Sequence, residues 1–311
     1  MDKVVAYLDL LGFSRRIRDN TSEALQAFTT YRTTLETAWQ DGQWHPASSY
    51  PSKLHAVVER TGTDSFEHFL PFSDSIFLSS TDPSKFIVQL GHFVLNCFRF
   101  TAAHYLRPEE PADPTLITIP TIGLNAEGQV VTSTKSEHLF PTLFRGGIAW
   151  GEVIPIQLFG LAEKQPVQIA NLAGKAVVEA VNLELTVKGP RIVFTQSLYD
   201  RLDAGARVYV HETTLKGLYE LLWPGLQYIW ENGPSEVQSF YSLFIPAVNL
   251  WRGYNHTPYA EHYFSFVELV VSSTLYVFAS KGMLASCLSS VRKAITAQGL
   301  DDKMKALLKG Y

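Results

Sequence analysis

The chain has 311 residues, of which 46% are hydrophobic and 18% charged, a composition that favours a globular protein with a large core over a disordered one. Its formal net charge of −4 gives no general attraction to nucleic acid or to anionic membranes. Two cysteines, Cys97 and Cys287, cannot form a disulfide framework. With no cationic-then-apolar signal pattern at the start, we expect a cytoplasmic protein.

The first predicted element is a buried strand over residues 3–9, because this stretch is apolar, β-branched and aromatic. A sharp turn containing Gly12 follows, and its N–H groups can face a ligand. Later in the chain, two short apolar strands meet at Ser73 and Asp74, which predicts a hairpin over residues 67–80. Asp9 and Asp74 therefore close apolar strands, and two carboxylates on adjacent strand ends form a site for divalent cations.

The remaining periodicity predicts alternating helices and strands. Up to residue 204 these are a helix over 15–40, a strand over 53–59, a helix over 86–105, a strand over 145–156 with a hairpin or bulge near Gly151, a helix over 172–184, a strand over 191–194 and a short helix over 196–202. Beyond it, the pattern predicts strands over 208–210, 228–230 and 240–244 and helices over 261–280 and 283–296. The secondary structure of the insertion at about 107–140 stays open.

The resulting order, βαββαβ with a tail, predicts an α/β (α+β) sandwich with one mixed sheet and helices mainly on one face. Residues 263–280 are apolar enough to be considered as a membrane span, but a bilayer span needs about 20 mainly apolar residues. We favour a helix packed in the core or in a subunit interface, without membrane insertion.

Four segments, in this order along the chain, resemble motifs of the class III nucleotidyl cyclases. The first two contain the aspartates of the predicted cation site and run from Tyr7 to Phe13 and from Phe72 to Ser75. The third, Phe144 to Glu152, is similar to a strand with a Gly-Ile-x-x-Gly core, and the fourth, Asn171 to Glu184, to a helix beginning near a Gly-x-x-Val-Asn pattern. In detail the four segments are most similar to the bacterial pyrimidine cyclases of the Pycsar anti-phage system.

The resemblance implies a cyclase palm with two divalent cations, Mn²⁺ or Mg²⁺, because the expected ligands are all oxygens. The two carboxylates and one main-chain carbonyl would hold the ions, and these ligands are Asp9, Asp74 and Leu10. The loop that follows would offer backbone N–H groups to the terminal phosphates of a nucleotide. These N–H groups belong to Leu11, Gly12 and Phe13.

Arg145 opens an otherwise apolar strand, and its planar guanidinium suits a clamp on phosphate or base, a surface ion pair being the alternative. Lys175 is a lesser candidate for phosphate binding. The asparagine and arginine that in the family hold ribose and transition-state phosphate fall on Val178 and Asn182. Arg145 or the cations would have to supply the missing charge, or the protein is inactive.

The two base-reading positions of the family also differ in this chain. The lysine that selects purines falls on Leu70, which cannot donate to a purine carbonyl, and the usual aspartate falls on Asn171. An asparagine amide can both donate and accept, which suits the imide or amide edge of a pyrimidine. The resemblance thus favours a pyrimidine nucleotide over ATP or GTP.

We therefore predict a nucleotide cyclase, a phosphorus-oxygen lyase that converts UTP to 3′,5′-cyclic UMP and pyrophosphate, with CTP and cyclic CMP as the near alternative. Residues 1–204 would form the catalytic domain, and residues 205–311 an extension packing on it or at a dimer interface. The resemblance implies a homodimer with shared sites, a role in anti-phage defence and a separate effector activated by the product. The alternatives are an inactive nucleotide-binding or dimerisation module and a palm that joins two nucleotides.

Overall fold

A computed structural model describes residues 1–43, 51–102, 116–124, 129–138, 140–229 and 237–311. The strands, in chain order, are β1 (Asp2–Leu10), β2 (His68–Phe72), β3 (Ser75–Ser80), β4 (Leu116–Leu124), β5 (Val130–His138), β6 (Phe144–Glu152), β7 (Ile154–Ala162), β8 (Gln165–Ala173), β9 (Ile192–Thr195), β10 (Val210–Glu212) and β11 (Leu218–Leu221). Seven of them form one sheet in the order β10-β11-β9-β6-β1-β3-β2. Only the β6–β9 pair of this sheet is parallel, so the predicted mixed sheet is confirmed.

Two further strand pairs lie outside this sheet, β4 with β5 and β7 with β8. The helices, in chain order, are α1 (Phe13–Asp19), α2 (Thr21–Gln43), α3 (His55–Thr61), α4 (Pro83–Ala102), α5 (Lys175–Glu184), α6 (Gln196–Tyr199), α7 (Ala204–Arg207), α8 (Val237–Tyr254), α9 (Ala260–Ser280), α10 (Leu284–Ala297) and α11 (Asp301–Leu308). Short 3₁₀ helices cover Ser52–Leu54 and Trp223–Tyr228. The predicted βαββαβ order is confirmed by β1, the helices before β2, β2–β3, α4 and β6.

The alternation of side chains along β1 separates two apolar clusters. Val4 and Leu8 point into the main core, together with α4 and most of α8, α9 and α10, while Val5 belongs to a smaller cluster beneath α5. Because successive side chains of a strand point to opposite faces, Asp9 shares the α5 face with Val5 and Tyr7. The sheet therefore places the first candidate carboxylate beneath α5, away from the main core.

A glycine in β6 determines how closely α5 approaches the sheet. A Cβ atom on Gly147 would lie 2.1 Å from the carbonyl oxygen of Ala180 and 2.6 Å from the Cβ of Leu183. Only glycine avoids such a collision, so the C-terminal half of α5 lies directly over β6. This contact brings Glu184, the last residue of α5, to the same end of the sheet as Asp9.

The C-terminal segment is continuous with the rest of the fold. Strands β10 and β11 extend the sheet beside β9, and α8 to α10 pack in the main core. Helix α9 is long and apolar enough to cross a membrane, but 67% of its apolar window is buried inside the fold. This burial confirms the preference for a core helix, whereas the domain division at residue 204 stays a prediction.

Three predicted strands are wrong. Residues 53–59 fall in a 3₁₀ helix and α3, residues 240–244 in α8, and residues 228–229 at the end of the second 3₁₀ helix. The buried residues of α8 show why, because Phe240, Phe244, Ala247 and Val248 follow a helical period that outweighs the strand propensity of the aromatic residues. In α3, Val58 and Thr61 share one buried side in the same way.

Other boundaries moved by a few residues. The helix predicted over 15–40 is split at Asn20, whose side chain accepts a hydrogen bond from the N–H of Ser22 (3.1 Å). The helix predicted from residue 172 begins at Lys175, because β7 and β8 form a long hairpin that ends at Ala173. Strand β11 and helices α7 and α11 were not predicted. Residues 103–105 and 230 of predicted elements lie outside the described residues.

Candidate active site

The end of β1 and the tip of the β2–β3 hairpin lie side by side. The N–H of Leu10 donates to the carbonyl oxygen of Asp74 (2.8 Å), and Asp9 pairs in register with Ser75. Ser73 takes a left-handed φ of 56° in the tight turn that precedes Asp74. The structure thus brings together the two aspartates that the sequence analysis singled out.

Neighbouring hydroxyl groups hold the two carboxylates. Ser75 Oγ donates to Asp9 Oδ1 (3.1 Å), and Ser14 Oγ donates to Asp74 Oδ2 (3.2 Å). Tyr7 Oη lies 2.9 Å from Ser75 Oγ, and because that serine donates its proton to Asp9, the tyrosine is the donor of this pair. The sequence analysis did not single out these three hydroxyls, although Tyr7 and Ser75 lie within the two motifs and Ser14 directly follows the first.

A third carboxylate, that of Glu184, reaches the site from α5. Arg145 lies opposite Asp9 on β6, with its Nη2 3.7 Å from Asp9 Oδ2, and its Nε forms an ion pair with Glu184 Oε1. The side chain of Glu184 is only 4% exposed. Glu184 was missed as a site residue, yet it continues the buried helical face of Ala176 and Ala180, where a carboxylate needs a cationic partner. Arg145 therefore forms an ion pair, the alternative stated above, but inside the site.

The electrostatics of this cluster leave negative charge uncompensated. Among the described side chains, the carboxylates of Asp74 and Glu184 both act on Asp9, and the one guanidinium that acts on it is that of Arg145. Burial, followed by repulsion from Asp74 and Glu184, raises the pKa of Asp9 to about 6, while Ser75 and Arg145 act in the opposite direction. Such a site favours an added cation, and carboxylate oxygens are ligands for hard ions such as Mg²⁺ and Mn²⁺.

The cation site would be formed by few protein ligands. No group of three or more His, Cys, Asp or Glu side chains with metal-binding geometry occurs in the described part of the chain. Asp9 and Asp74 could hold a cation together with a main-chain oxygen, and since the side chain of Leu10 is buried in the main core, only its backbone could contribute. The remaining ligands would be oxygens of substrate or water, as is usual for Mg²⁺.

The loop between β1 and α1 provides fewer donors than the sequence suggested. The N–H of Leu11 donates to the carbonyl oxygen of Leu143 (2.9 Å), so it is already engaged. Gly12 takes a φ of +82°, and Phe13 begins α1 with its side chain buried. Gly12 and Phe13 are therefore the loop residues whose N–H groups could face a phosphate.

The remaining predicted residues lie apart from the two aspartates within one chain. Leu70 packs on the α5 face of the sheet with Tyr7, Phe77 and Val177. Asn171 lies on β8, where its Oδ1 accepts a hydrogen bond from the N–H of Leu172 (2.8 Å). Among the described residues, no hydrogen bond or ion pair joins Asn171 or Lys175 to Asp9 or Asp74. An open cleft on the outer side of α5 is lined by residues that include Lys175, Val178 and Asn182.

No protein-family model matches the chain, and no curated protein does either. Solved cyclase structures do resemble it. The guanylyl cyclase Cya2 is 14% identical, with a TM-score of 0.42, over 71% of this chain and 92% of that one. A bacterial light-regulated adenylyl cyclase is 14% identical, with a TM-score of 0.39, over 71% of this chain and 89% of that one. The adenylyl cyclase CyaB of P. aeruginosa is 12% identical, with a TM-score of 0.33, over 71% of this chain and 93% of that one. Similarity at this level does not establish a shared activity.

The start of α9 borders the candidate active site. The ring of Tyr259 would lie 3.6 Å from a Cβ atom placed on Gly12. His262 accepts a hydrogen bond from the N–H of Gly189 (3.0 Å), and burial, with the nearby charges of Arg145 and Lys188, holds the pKa of His262 below its usual value. The C-terminal segment, to which the sequence analysis gave no role beyond packing, therefore contacts the site on the side opposite α5.

Proposed function

We propose that this protein is a nucleotide cyclase that acts on a pyrimidine nucleoside triphosphate, with UTP as the preferred substrate. The observation that carries the proposal is the convergence of Asp9 and Asp74 at one end of the sheet, each held by a serine hydroxyl. The four cyclase-like motifs meet around this point, because β1, the β2–β3 hairpin, β6 and α5 all end there or pass beside it.

In the reaction, the 3′-oxygen of the ribose bonds to the α-phosphorus, the bond from that phosphorus to the β-phosphate oxygen breaks, and pyrophosphate leaves. Two bound cations would lower the pKa of the 3′-hydroxyl, whose proton passes to solvent, and would stabilise the leaving oxygens. Asp9 and Asp74 hold the ions, and Gly12 and Phe13 orient the terminal phosphates. Arg145 places a positive charge beside Asp9, and Glu184 fixes its orientation.

The choice of uracil over cytosine rests on Asn171. Its Oδ1 accepts the N–H of Leu172, which orients the amide so that its NH₂ group is the part left for a ligand. An NH₂ donor suits the O4 acceptor of uracil and opposes the N4 donor of cytosine. The apolar Leu70 disfavours purines, because it offers no donor to a purine carbonyl.

The substitution Asn171→Asp tests this choice, because it replaces the donor by an acceptor. We expect the ratio of kcat/KM for UTP over CTP to fall at least tenfold, the effect of about 1.4 kcal/mol in differential binding. Asn182 lines the cleft beside α5 and is therefore not a neutral control. Asn255→Asp, at an exposed position in the turn after α8, serves as the control. An unchanged ratio in Asn171→Asp excludes the proposed role in base selection.

We further propose a homodimer in which Asn171 and the outer side of α5, with Lys175 and Val178, complete the aspartate site of the other subunit, while Glu184 of α5 stays in the site of its own subunit. In the β7–β8 hairpin, Leu158 and Ile169 are paired on one face and are 42% and 44% exposed, and Phe159 on the other face is 77% exposed. An apolar two-stranded ribbon outside the main sheet is a surface that association would bury. A symmetric dimer is also the commonest assembly.

Mixing two inactive variants tests the shared site. Asp74→Asn and Asn171→Ala would each be inactive or strongly impaired alone, and a mixed dimer would carry one intact site. Random pairing makes about half of the dimers mixed, and each mixed dimer has one of its two sites intact. We therefore expect the equilibrated mixture to regain up to about a quarter of the wild-type rate. If the mixture is no more active than the sum of its parts, the site is not shared.

The activity itself is tested by incubating the pure protein with each of the four nucleoside triphosphates and Mn²⁺ and separating the products by chromatography. We expect cyclic UMP from UTP, and a loss of at least about a thousandfold in kcat/KM for Asp74→Asn. Asp2→Asn, at the exposed opposite end of β1, is the matched control and should keep wild-type activity. Products that join two nucleotides would instead identify a polymerase-like palm.

One observation favours a second candidate, an inactive nucleotide-binding module. Val178 is 61% exposed at the position where the family has an asparagine, so α5 presents an apolar side chain there. If no triphosphate yields a cyclic product while nucleotide binding persists, the module is the correct assignment.

For the active enzyme, we propose the cytoplasm as its location and anti-phage defence through a separate, product-activated effector as its role, on the basis of the motif resemblance.

A further inference from the structure

A cavity of ≈ 580 Å³ lies between the edge of the sheet and the C-terminal helices, apart from the aspartate site. Arg191 and Glu220 lie on the sheet side, at β9 and β11, and Trp251 of α8 and Phe264 of α9 form an aromatic wall. None of these residues belongs to the cyclase-like motifs. The size of the cavity suits a small organic molecule.

The cations on the sheet side of this cavity are already paired. Arg191 Nη1 bonds both carboxylate oxygens of the buried Glu220 (2.9 and 2.7 Å), and its Nε donates to Ser265 Oγ (2.8 Å). Lys188 pairs with Glu261 (2.9 Å). An anionic ligand would have to break one of these contacts, and the bidentate pair with a buried carboxylate is the stronger of the two.

One carboxylate of the cavity is left with weak compensation. Glu268 Oε2 lies 3.8 Å from Arg191 Nη2, beyond hydrogen-bond distance, while Nη1 of that arginine bonds Glu220. Burial raises the pKa of Glu268, with the charge of Arg191 acting in the opposite direction. In the described part of the chain, no other ion pair to Glu268 is formed, so its oxygens can accept from a further cation.

The aromatic wall already holds a positive charge. Lys303 of α11 places its Nζ 5.5 Å from the ring centre of Trp251 and 5.4 Å from that of Phe264. Ammonium groups over aromatic faces are stabilised by the ring quadrupole. Because Lys303 is exposed, a ligand ammonium can take its place while the lysine turns to solvent.

We propose that this cavity binds a small organic cation, a protonated amine or polyamine, with one ammonium over Trp251 and Phe264 and a second on Glu268. The lining has three carboxylates and three cations, so the carboxylate of Glu268 is in excess once Lys303 turns to solvent. This carboxylate and the aromatic wall then recognise positive charge, and the paired state of Arg191 and Lys188 disfavours an anion.

Helix α9 connects this cavity to the candidate active site. Glu261, Phe264 and Glu268 line the cavity, and the same helix begins at the Tyr259 contact with Gly12. The backbone adds a second connection, because the carbonyl oxygen of Arg191 accepts from the N–H of Gly146, next to Arg145. Occupancy of the cavity would therefore change the rate of the cyclase, a consequence that rests on the proposed function.

Binding is tested on the full chain without nucleotide, by titrating spermidine against the tryptophan fluorescence at constant ionic strength. We expect a saturable change that sodium chloride does not reproduce. Glu268→Gln should weaken binding at least tenfold, and Lys303→Met should tighten it severalfold, because it removes the competing ammonium. Glu36→Gln, an exposed carboxylate on α2, is the control and should bind as wild type.

Two results overturn the proposal. No saturable binding, with wild-type melting behaviour, excludes a cation site, and an unchanged spermidine affinity in Glu268→Gln shows that the amine binds elsewhere. The link to catalysis is tested separately, by comparing how the same spermidine concentration changes the cyclase rates of wild type and Glu268→Gln. Spermidine also complexes the nucleotide, but this effect is the same for both proteins and therefore cancels in the comparison. Equal responses exclude the link and leave the binding result, and the proposed function, unaffected.

Discussion

Two clusters in this molecule have the same composition at their centre, an arginine between two carboxylates, and differ in what surrounds it. Arg145 lies between Glu184 and Asp9, and Arg191 lies between Glu220 and Glu268. The first cluster has Asp74 as a third carboxylate. Its surplus of negative charge suits divalent ions. The second cluster has Lys303 nearby, and its carboxylate is in excess only when this lysine turns to solvent, which suits replacement by a ligand ammonium group.

The clusters also differ in how firmly the arginine is held. Arg191 makes a bidentate pair and a hydrogen bond to Ser265, which fixes its planar group, while Arg145 is paired through Nε and only approaches Asp9. The Nε and Nη1 donors of Arg191 are engaged by buried or half-buried partners, so this arginine is held for structure. An arginine with free donors beside a surplus of carboxylates can still turn to a phosphate. The same three residue types therefore support different roles.

Among the substitutions that test this difference between the clusters, we expect Arg191→Met to change the stability most. The substitution leaves the carboxylate of Glu220, which is 1% exposed, without its partner, and we expect a loss of about 3 kcal/mol in the free energy of unfolding. Denaturant unfolding measures it. The double variant Arg191→Met/Glu220→Leu removes both charges and should recover most of the loss. If the single variant costs less than about 0.5 kcal/mol, the pair does not hold the fold as described.

Gly147→Ala tests whether the approach of α5 assembles the first cluster. The new Cβ would meet the carbonyl oxygen of Ala180, so α5 must move away from β6, and we expect a loss of about 2 kcal/mol and a marked loss of cyclase activity. Gly151→Ala on the same strand is the matched control. Its Cβ would lie 3.8 Å from the nearest atom, an ordinary contact, so both properties should change little. Equal effects of the two substitutions would contradict the role given to Gly147.

The smallest effect concerns the pH dependence of stability. Because folding raises the pKa of Asp9 from 3.8 to about 6, the protonated carboxyl is favoured in the fold, and the metal-free protein loses this stabilisation as the pH rises through 6. With allowance for solvent screening, ionised Asp9 costs about 1–2 kcal/mol at neutral pH.

Asp9→Asn should remove this cost. Without divalent cations, we expect the variant to be more stable than the wild type at pH 7.5 and nearly equal to it at pH 4, as measured by thermal unfolding. Mn²⁺ should reverse the order at pH 7.5, because only the wild type binds it. If the variant without metal is less stable than the wild type at both pH values, the neighbours of Asp9 do not destabilise its ionised carboxylate.

Some features of the site could be predicted from local sequence because they depend on neighbours in the chain. The strand ending at Asp9 and the hairpin around Asp74 each have an apolar pattern and a turn, and the structure has both elements. Glu184 could not be assigned in this way, because its pairing with Arg145 depends on α5 crossing β6 at Gly147. The cavity at Arg191 likewise joins β9 and β11 to α8, α9 and α11, segments with no motif between them.

By itself, the sequence determined the chemical groups and the βαββαβ order, since hydrophobic period, turn residues and residue type are local properties. Only the tertiary structure decided which charges meet. Ion pairs and raised pKa values depend on distances of a few ångströms and on burial, and both arise when strands and helices distant in the chain pack together. The engaged N–H of Leu11, the buried pair of Arg145 with Glu184 and the contact of Tyr259 with the Gly12 loop all arise from that packing.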